Sequence, residues 1–396
     1  MKTKKIAVFF LSVSIFFMSG CSRTVQLHER MVIQGIGVDL AENGYKVTIQ
    51  ALDFKNSQGG TEPSVKLIEL KGKSLLEALE NSKKQSGLIP MYSQNLVLIV
   101  GKSLATSGMD NFLDFFIRHY EARPTVKVCV SETDAAQVLS LKREEKNIQA
   151  KEISDLIPES LHSDVMHFVG SLHGKTSDPY CAYLSIQNNG KENITPGKNQ
   201  SEDEGDNSSE QDTKNGTESQ EENNEELLSM TGIAFFSGDK MLGVETQNGF
   251  LGALAVKGIQ GLGVYNIHSE NLGDISLDIV KTKSKISVNT NEKRFYIDIE
   301  LGTNALEVTP NQGANIGKAE QEQIEKQLDD EIKLICEQTI RKLINLNSDI
   351  FRFQKVILNS DPKYFQNHNE NLKEILKEFD YIVNVKSSLS ITGTEI

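Results

Sequence analysis

The sequence predicts an α/β (α+β) protein of three compact units, each a mixed or antiparallel sheet packed with helices. Three observations carry that prediction. Two strand-like runs flank Asn43-Gly44, a dipeptide that tolerates positive φ and marks a hairpin. Beyond it, short apolar runs alternate with capped amphipathic segments, the pattern of helices laid on a mixed sheet. The last third joins two long alternating runs to an extended amphipathic helix.

The first unit, residues 21–165, opens with strands at 31–40 and 45–52. In the second, Tyr45, Val47, Ile49 and Ala51 point one way and Lys46, Thr48 and Gln50 the other. A strand at 65–70 follows the Gly59-Gly60 loop. Ser74-Leu75-Leu76-Glu77 then starts a helix, with hydroxyl and carboxylate each able to satisfy free amides. The apolar run 95–100 ends at Gly101 and reads as a buried strand. Asp110 is positioned to cap a helix through Tyr120 that gathers Phe112, Leu113, Phe116 and Ile117 on one face. A strand at 125–130 and a short helix capped by Thr133 complete the alternation. Residues 141–165 read as a charged helix and a poorly patterned stretch.

The middle unit, 166–274, has strands at 180–187, 229–236 and 241–245, and a helix at 246–256. An acidic insert at about 191–226 interrupts it, with 12 acidic residues, 3 lysines and hardly an apolar side chain. Such a tract cannot bury enough surface to offset ordering entropy and is expected to be a disordered, solvated loop. The last unit, 275–396, has strands at 275–288 and 294–301 and the best helix of the chain at 318–346. There Ile324, Leu328, Ile332, Ile335, Ile340 and Leu343 keep helical spacing, and Glu322/Lys326, Asp329/Lys333 and Glu337/Arg341 form i,i+4 pairs. A helical patch at 349–358 and a strand at 381–391 close the unit.

The amino terminus says where such a body resides. Lys2, Lys4 and Lys5 precede an uncharged run at 6–18, followed by Ser19-Gly20-Cys21. Thirteen helical residues span roughly 20 Å against a hydrocarbon core of about 30 Å, so the run fits an export signal better than a permanent span. A cysteine just after two small residues resembles a bacterial lipobox. On that reading residues 1–20 are removed and Cys21 carries diacylglycerol on its thiol and a fatty (palmitoyl) chain on its amine. Two or three chains hold a protein on a bilayer far more firmly than one. The other reading is a secretory signal with an unrelated cysteine.

Charge and composition narrow the function. The net charge is −13, of which −9 falls in the acidic insert, leaving a nearly neutral body with no nucleic-acid footprint. Cys129, Cys181 and Cys336 are odd in number and far apart, which favours buried free thiols over a disulfide framework; one bridge between two of them stays open. Gly258, Gly261 and Gly263 run G-x-x-G-x-G with no Lys-Ser/Thr pair, a tight turn rather than a phosphate loop. Gly170-Ser171-Leu172-His173-Gly174 has the wrong spacing for a nucleophile elbow. His162, His167 and His173 are five and six apart, which is not metal-ligand spacing on one helix face. Asp329-Asp330-Glu331 is expected in water on the long helix, and Lys281, Lys283 and Lys285 on a solvated strand edge. No catalytic, cofactor-binding or metal-ligating residue is assigned.

Taken in order, several motifs resemble the Ger(x)C family, the lipoprotein C subunits of spore germinant receptors. These are the lipobox, Gly35-Ile36-Gly37-Val38-Asp39, Ser93-Gln94-Asn95-Leu96-Val97-Leu98-Ile99-Val100-Gly101, the segment from Met109 to Arg118, and Ser348-Asp349-Ile350-Phe351-Arg352-Phe353. The chain departs from the pattern in having Ser22-Arg23 where the family often has Trp-Asp, and in the length of its insert. The resemblance implies a non-enzymatic subunit, lipid-anchored on the outer face of the spore inner membrane. It would assemble with integral membrane A and B subunits in the response to small nutrient germinants, with no cofactor. Only Cys21 receives a role; Arg118 is a contact candidate or a helix-end cation. Two other readings stand beside this one: a two-lobed solute-binding lipoprotein of a transporter, and a lipoprotein hydrolase, which needs Ser, His and Asp converging in one pocket.

Overall fold

The computed structural model describes residues 25–53, 64–141, 149–188, 226–269, 272–310 and 316–390. Cys21 and nearly all of the acidic insert lie outside them. Among the described residues, nine strands form one sheet: β1 (Arg30–Ala41), β2 (Gly44–Asp53), β3 (Ser64–Gly72), β4 (Ile89–Met91), β5 (Val97–Gly101), β6 (Lys127–Ser131), β7 (Tyr180–Asn188), β8 (Glu226–Ser237) and β9 (Lys240–Thr246). Their order is β3-β2-β1-β5-β6-β7-β8-β9, with β4 against the start of β1. The centre, β1-β5-β6-β7, is parallel, and both ends are antiparallel hairpins. Gly44, at φ +110°, makes the first hairpin turn as expected.

A parallel centre requires crossovers, and these are helical. They are α1 (Leu75–Ser86), α2 (Lys102–Ser107), α3 (Asp110–Arg118), α4 (Ala135–Ser140), α5 (Gln149–Leu156) and α6 (Val165–His173). Strand β5 is apolar throughout because helices cover both its faces. Leu98 and Val100 join a core with Leu79, Leu104, Phe112 and Phe168, while Val97 and Ile99 join one with Leu139 and Ile153. The motif Gly35-Ile36-Gly37-Val38-Asp39 is explained by the second face. A Cβ on Gly35 would lie 2.7 Å from the Ala150 Cβ, so glycine lets α5 approach the strand. Asp39 is buried, and its carboxylate accepts from Ala135 N (2.7 Å) and Ala136 N (3.1 Å), capping α4 from 96 residues away. That overturns the expected cap by Thr133, whose own amide instead donates to Ser131 Oγ. Burial pushes the Asp39 carboxyl above its usual range, against the pull of the two amides.

The second sheet has the order β10-β11-β12-β13, from β10 (Gly263–Ser269), β11 (Gly273–Asn289), β12 (Arg294–Pro310) and β13 (Asp380–Ser390). The helix α7 (Gln247–Lys257) lies between the sheets. Leu251, Gly252, Ala253, Leu254, Ala255 and Val256 are all buried, which explains a helix apolar on every side. It packs on α8 (Lys318–Asn345), where a Cβ on Gly252 would strike Thr339 Oγ1. One continuous core therefore runs from Cys129 and Ile233 in the first sheet to Ile275, Phe295 and Ile340 in the second. Residue 165, the expected end of the first unit, opens α6, and β6 and β7 on either side of that helix are neighbours in one sheet.

The Ser348-to-Phe353 motif is a strut between the sheets. Asp178 N donates to Asp349 O (3.0 Å), Asp349 N to Asp178 Oδ2 (2.8 Å) and Ser348 Oγ to Phe236 O (2.6 Å). The Asp349 carboxylate then accepts from Phe353 N and Gln354 N, capping α9 (Phe353–Ser360). The helices α10 (Pro362–His368) and α11 (Leu372–Leu376) follow, and neither was expected. Lys373 of α11 donates to Asp178 Oδ1 at 2.6 Å, neutralising that buried carboxylate.

Other elements depart from expectation for local reasons. Strand β12 runs nine residues past 301, paired with both β11 and β13. Asp329 and Glu331 do not simply face water. Asp329 Oδ1 accepts from Ser387 N (2.7 Å), Glu325 Oε1 from Leu389 N (2.7 Å) and Glu331 Oε2 from Tyr265 OH (2.8 Å). The first two satisfy amides on the outer edge of β13, which blunts that edge. Lys281, Lys283 and Lys285 are exposed, as expected, on the part of β11 that extends beyond β10.

Candidate functional site

The C-terminal end of α7 is where the two sheets face each other across a cleft of about 370 Å³. Gly258 ends the helix at φ +67°, and its close approach to Ser284 N, 3.0 Å from where a Cβ would stand, excludes larger residues. Gln260 then turns its side-chain amide onto β11, accepting from Thr282 N (3.1 Å) and donating to Thr282 O, in place of a neighbouring strand. These contacts fix Lys257 at the cleft. Its ammonium donates to Ile350 O (2.9 Å) and sits 4.1 Å from the centroid of the Tyr180 ring. Tyr180 is held in turn by donation to Leu161 O (2.8 Å). Burial, with the neighbouring Arg352 charge, brings the Lys257 ammonium down to about 7, against the pull of Asp349.

Two of the three histidines singled out in the sequence meet here. His162 takes a left-handed conformation (φ +53°) after the turn Glu159–Leu161, and its ring stacks on His167 at 4.6 Å. Asp164 caps α6 through His167 N (2.9 Å), and the same carboxylate holds His167 Nδ1 at 2.8 Å. Burial, reinforced by His167, lowers the proton affinity of His162. His173 is elsewhere, 3.4 Å from Asp110. Arg352, also left-handed at φ +65°, completes the set of nitrogen-bearing side chains.

Chemically, the cleft gathers two imidazoles, an ammonium, a guanidinium and the hydroxyls of Ser160, Ser171 and Ser284, with no carboxylate among its lining residues. Among the described residues no serine hydroxyl hydrogen-bonds either imidazole. No group of three or more His, Cys, Asp or Glu there is arranged to hold a metal ion. Sequence reasoning saw the histidines but missed Lys257 and Arg352 as their neighbours. The only local signal was Asp164 followed by Val165, Phe168, Val169 and Leu172 at helical spacing, which marks α6.

The other singled-out residues are structural in place. Arg118 is exposed in the last turn of α3 and pairs with Asp114 (2.6 and 2.8 Å) on its own helix. Cys129, Cys181 and Cys336 are buried free thiols, and burial raises the Cys336 thiol to about 12. No helix among the described residues is long and apolar enough to cross a membrane.

Comparison with known proteins gives the frame for these observations. A family model described as "Spore germination protein N-terminal domain" matches residues 23–186, and one described as "Spore germination B3/ GerAC like, C-terminal" matches 231–393. The first ends with β7 and the second begins within β8, so the acidic insert falls between them. No curated protein matches the chain. Among solved structures, the crystal structure of the GerBC protein is similar with a TM-score of 0.50 and 20% identity, covering 90% of this chain and 96% of that one. At that identity the likeness shows the fold. The two family matches, in order and across both sheets, show that the chain belongs to the Ger(x)C family of spore germination proteins, the C subunits of germinant receptors.

Proposed function

We propose that this chain is a lipid-anchored receptor subunit that works by assembly rather than by catalysis. The observation that carries the reading is the pair of family matches spanning both sheets, joined to the signal and Cys21 at the amino terminus. Acyl chains on Cys21 hold the body against the outer face of the spore inner membrane, where integral A and B subunits are its partners. Confinement to the bilayer raises its effective concentration beside them, so modest surface contacts suffice for a stable complex. The shared core around α7 makes the two sheets one body, which supports a scaffold more than a two-lobed protein closing around a solute. The three-unit division is kept as a proposal, and strands β1 to β9, from its first two units, belong to one sheet.

Co-purification from detergent-solubilised spore membranes tests the reading. The native chain is expected to stay with the membrane fraction and recover its integral partners. Cys21→Ala is expected to lose membrane retention and to recover less partner. Equal retention and equal recovery would remove the anchoring mechanism.

A further inference from the structure

The anchoring reading makes no use of the cleft at the end of α7, yet that cleft has the composition of a binding site. His162, His167, Lys257 and Arg352 line it without a carboxylate among them. The nearby acids are engaged elsewhere: Asp164 holds His167 and caps α6, and Asp349 caps α9. Lys257 donates a hydrogen bond to the Ile350 carbonyl, and Arg352 has no ion pair among the described residues. Lys257 and Arg352 share the concavity, and the Arg352 charge disfavours that of Lys257. An anion between them relieves both.

A second, independent observation comes from the opposite wall. The hydroxyl of Ser284, on β11, lines the cleft with its oxygen buried and no hydrogen-bond partner. Buried polar atoms are nearly always satisfied, and Ser284 Oγ is one that no other protein group satisfies. Val256, Ile259, Ile286 and Phe351 add an apolar part to the wall. The volume falls in the range of small-molecule sites.

We infer that this cleft binds a small organic anion, its carboxylate or phosphate taken by Arg352, Lys257 and Ser284 and its apolar part lying against Phe351 and Ile286. The guanidinium suits this role because its planar fork matches an oxyanion. The walls come from β7 and α6 on one side and from β11 and the turn before α9 on the other. Occupancy therefore ties the two sheets together and raises the melting temperature of the chain.

The test is calorimetric titration of the purified full-length chain in detergent with phenylacetate, phenyl phosphate and benzyl alcohol. One-site binding of at least one anion is expected, about tenfold or more tighter than the neutral alcohol, as befits charge-assisted hydrogen bonds. The two anion arms decide which oxyanion the cleft prefers. Arg352→Gln should weaken that binding by about tenfold or more, with Ser284→Ala showing a smaller loss in the same direction. Arg352 is exposed, so its variant should fold; a melting curve without ligand confirms it. No saturable binding of either anion, equal affinity for benzyl alcohol, or unchanged affinity in Arg352→Gln would overturn the assignment.

Discussion

Asp178 and Asp349 exchange hydrogen bonds across 171 residues of chain, each backbone amide answered by the other residue's oxygen. Both are nearly inaccessible, at 3% and 1% exposure, yet the two carboxylates are stabilised differently. Lys373 neutralises Asp178, whereas Asp349 rests on the amides that open α9. Removing the Asp349 side chain leaves the Phe353 and Gln354 amides unsatisfied in the interior, while the exchange with Asp178, made by the Asp349 backbone, is kept. Asp349→Ala is expected to lower stability by about 2–4 kcal/mol, read from urea midpoints, with Asp349→Asn costing less because it keeps one acceptor.

The same residue sets a pH dependence. Burial raises the Asp349 carboxyl to about 6, from an ordinary value of 3.8 in the unfolded chain, with Asp178 adding repulsion and the Phe353 and Gln354 amides opposing. Between those values the folded state binds more protons than the unfolded state. The contribution of this group is therefore full below pH 3.8 and is lost as pH rises through 6. Urea midpoints of the native chain and Asp349→Asn, measured from pH 4 to 7, should converge toward the upper end as the native chain loses this contribution.

Close packing over β1 makes a steric prediction. Gly35→Ala places a methyl 2.7 Å from the Ala150 Cβ and 3.3 Å from Leu139 Cδ2. Thermal denaturation should show a loss of about 1–3 kcal/mol, the usual cost of overpacking. Adding Ala150→Gly should recover part of it if the clash is the cause.

On the far side of the molecule, Asp329 and Glu325 shield the edge of β13. The double variant Asp329→Ala, Glu325→Ala frees the Ser387 and Leu389 amides. It should cost about 2 kcal/mol and raise the rate of aggregation, followed by light scattering.

Much of this fold was legible because it is written in local repeats. The alternation of Tyr45 to Ala51 and the helical spacing from Ile324 to Leu343 mark β2 and α8 without any tertiary knowledge. Ser74 and Glu77 cap α1 as their spacing suggests, through Glu77 N to Ser74 Oγ and Lys73 N to Glu77 Oε2. What sequence spacing does not reveal are contacts made at long range. The Asp39 cap on α4 and the Gln50 acceptor for Ala150 N (2.8 Å) join residues about a hundred positions apart. The cleft was hidden for the same reason. His162, Lys257, Ser284 and Arg352 come from four separate stretches, and only the histidines are near neighbours in the chain. Their five-residue spacing fits no helix face because His162 precedes α6 and turns back onto it through its left-handed backbone.

The enclosure of α7 has a mechanical consequence. The second half of the helix, Leu251 to Val256, is buried in the core that both sheets share, so swinging the sheets apart would expose it to water. Parting the sheets therefore costs apolar burial, and that cost opposes hinging between them.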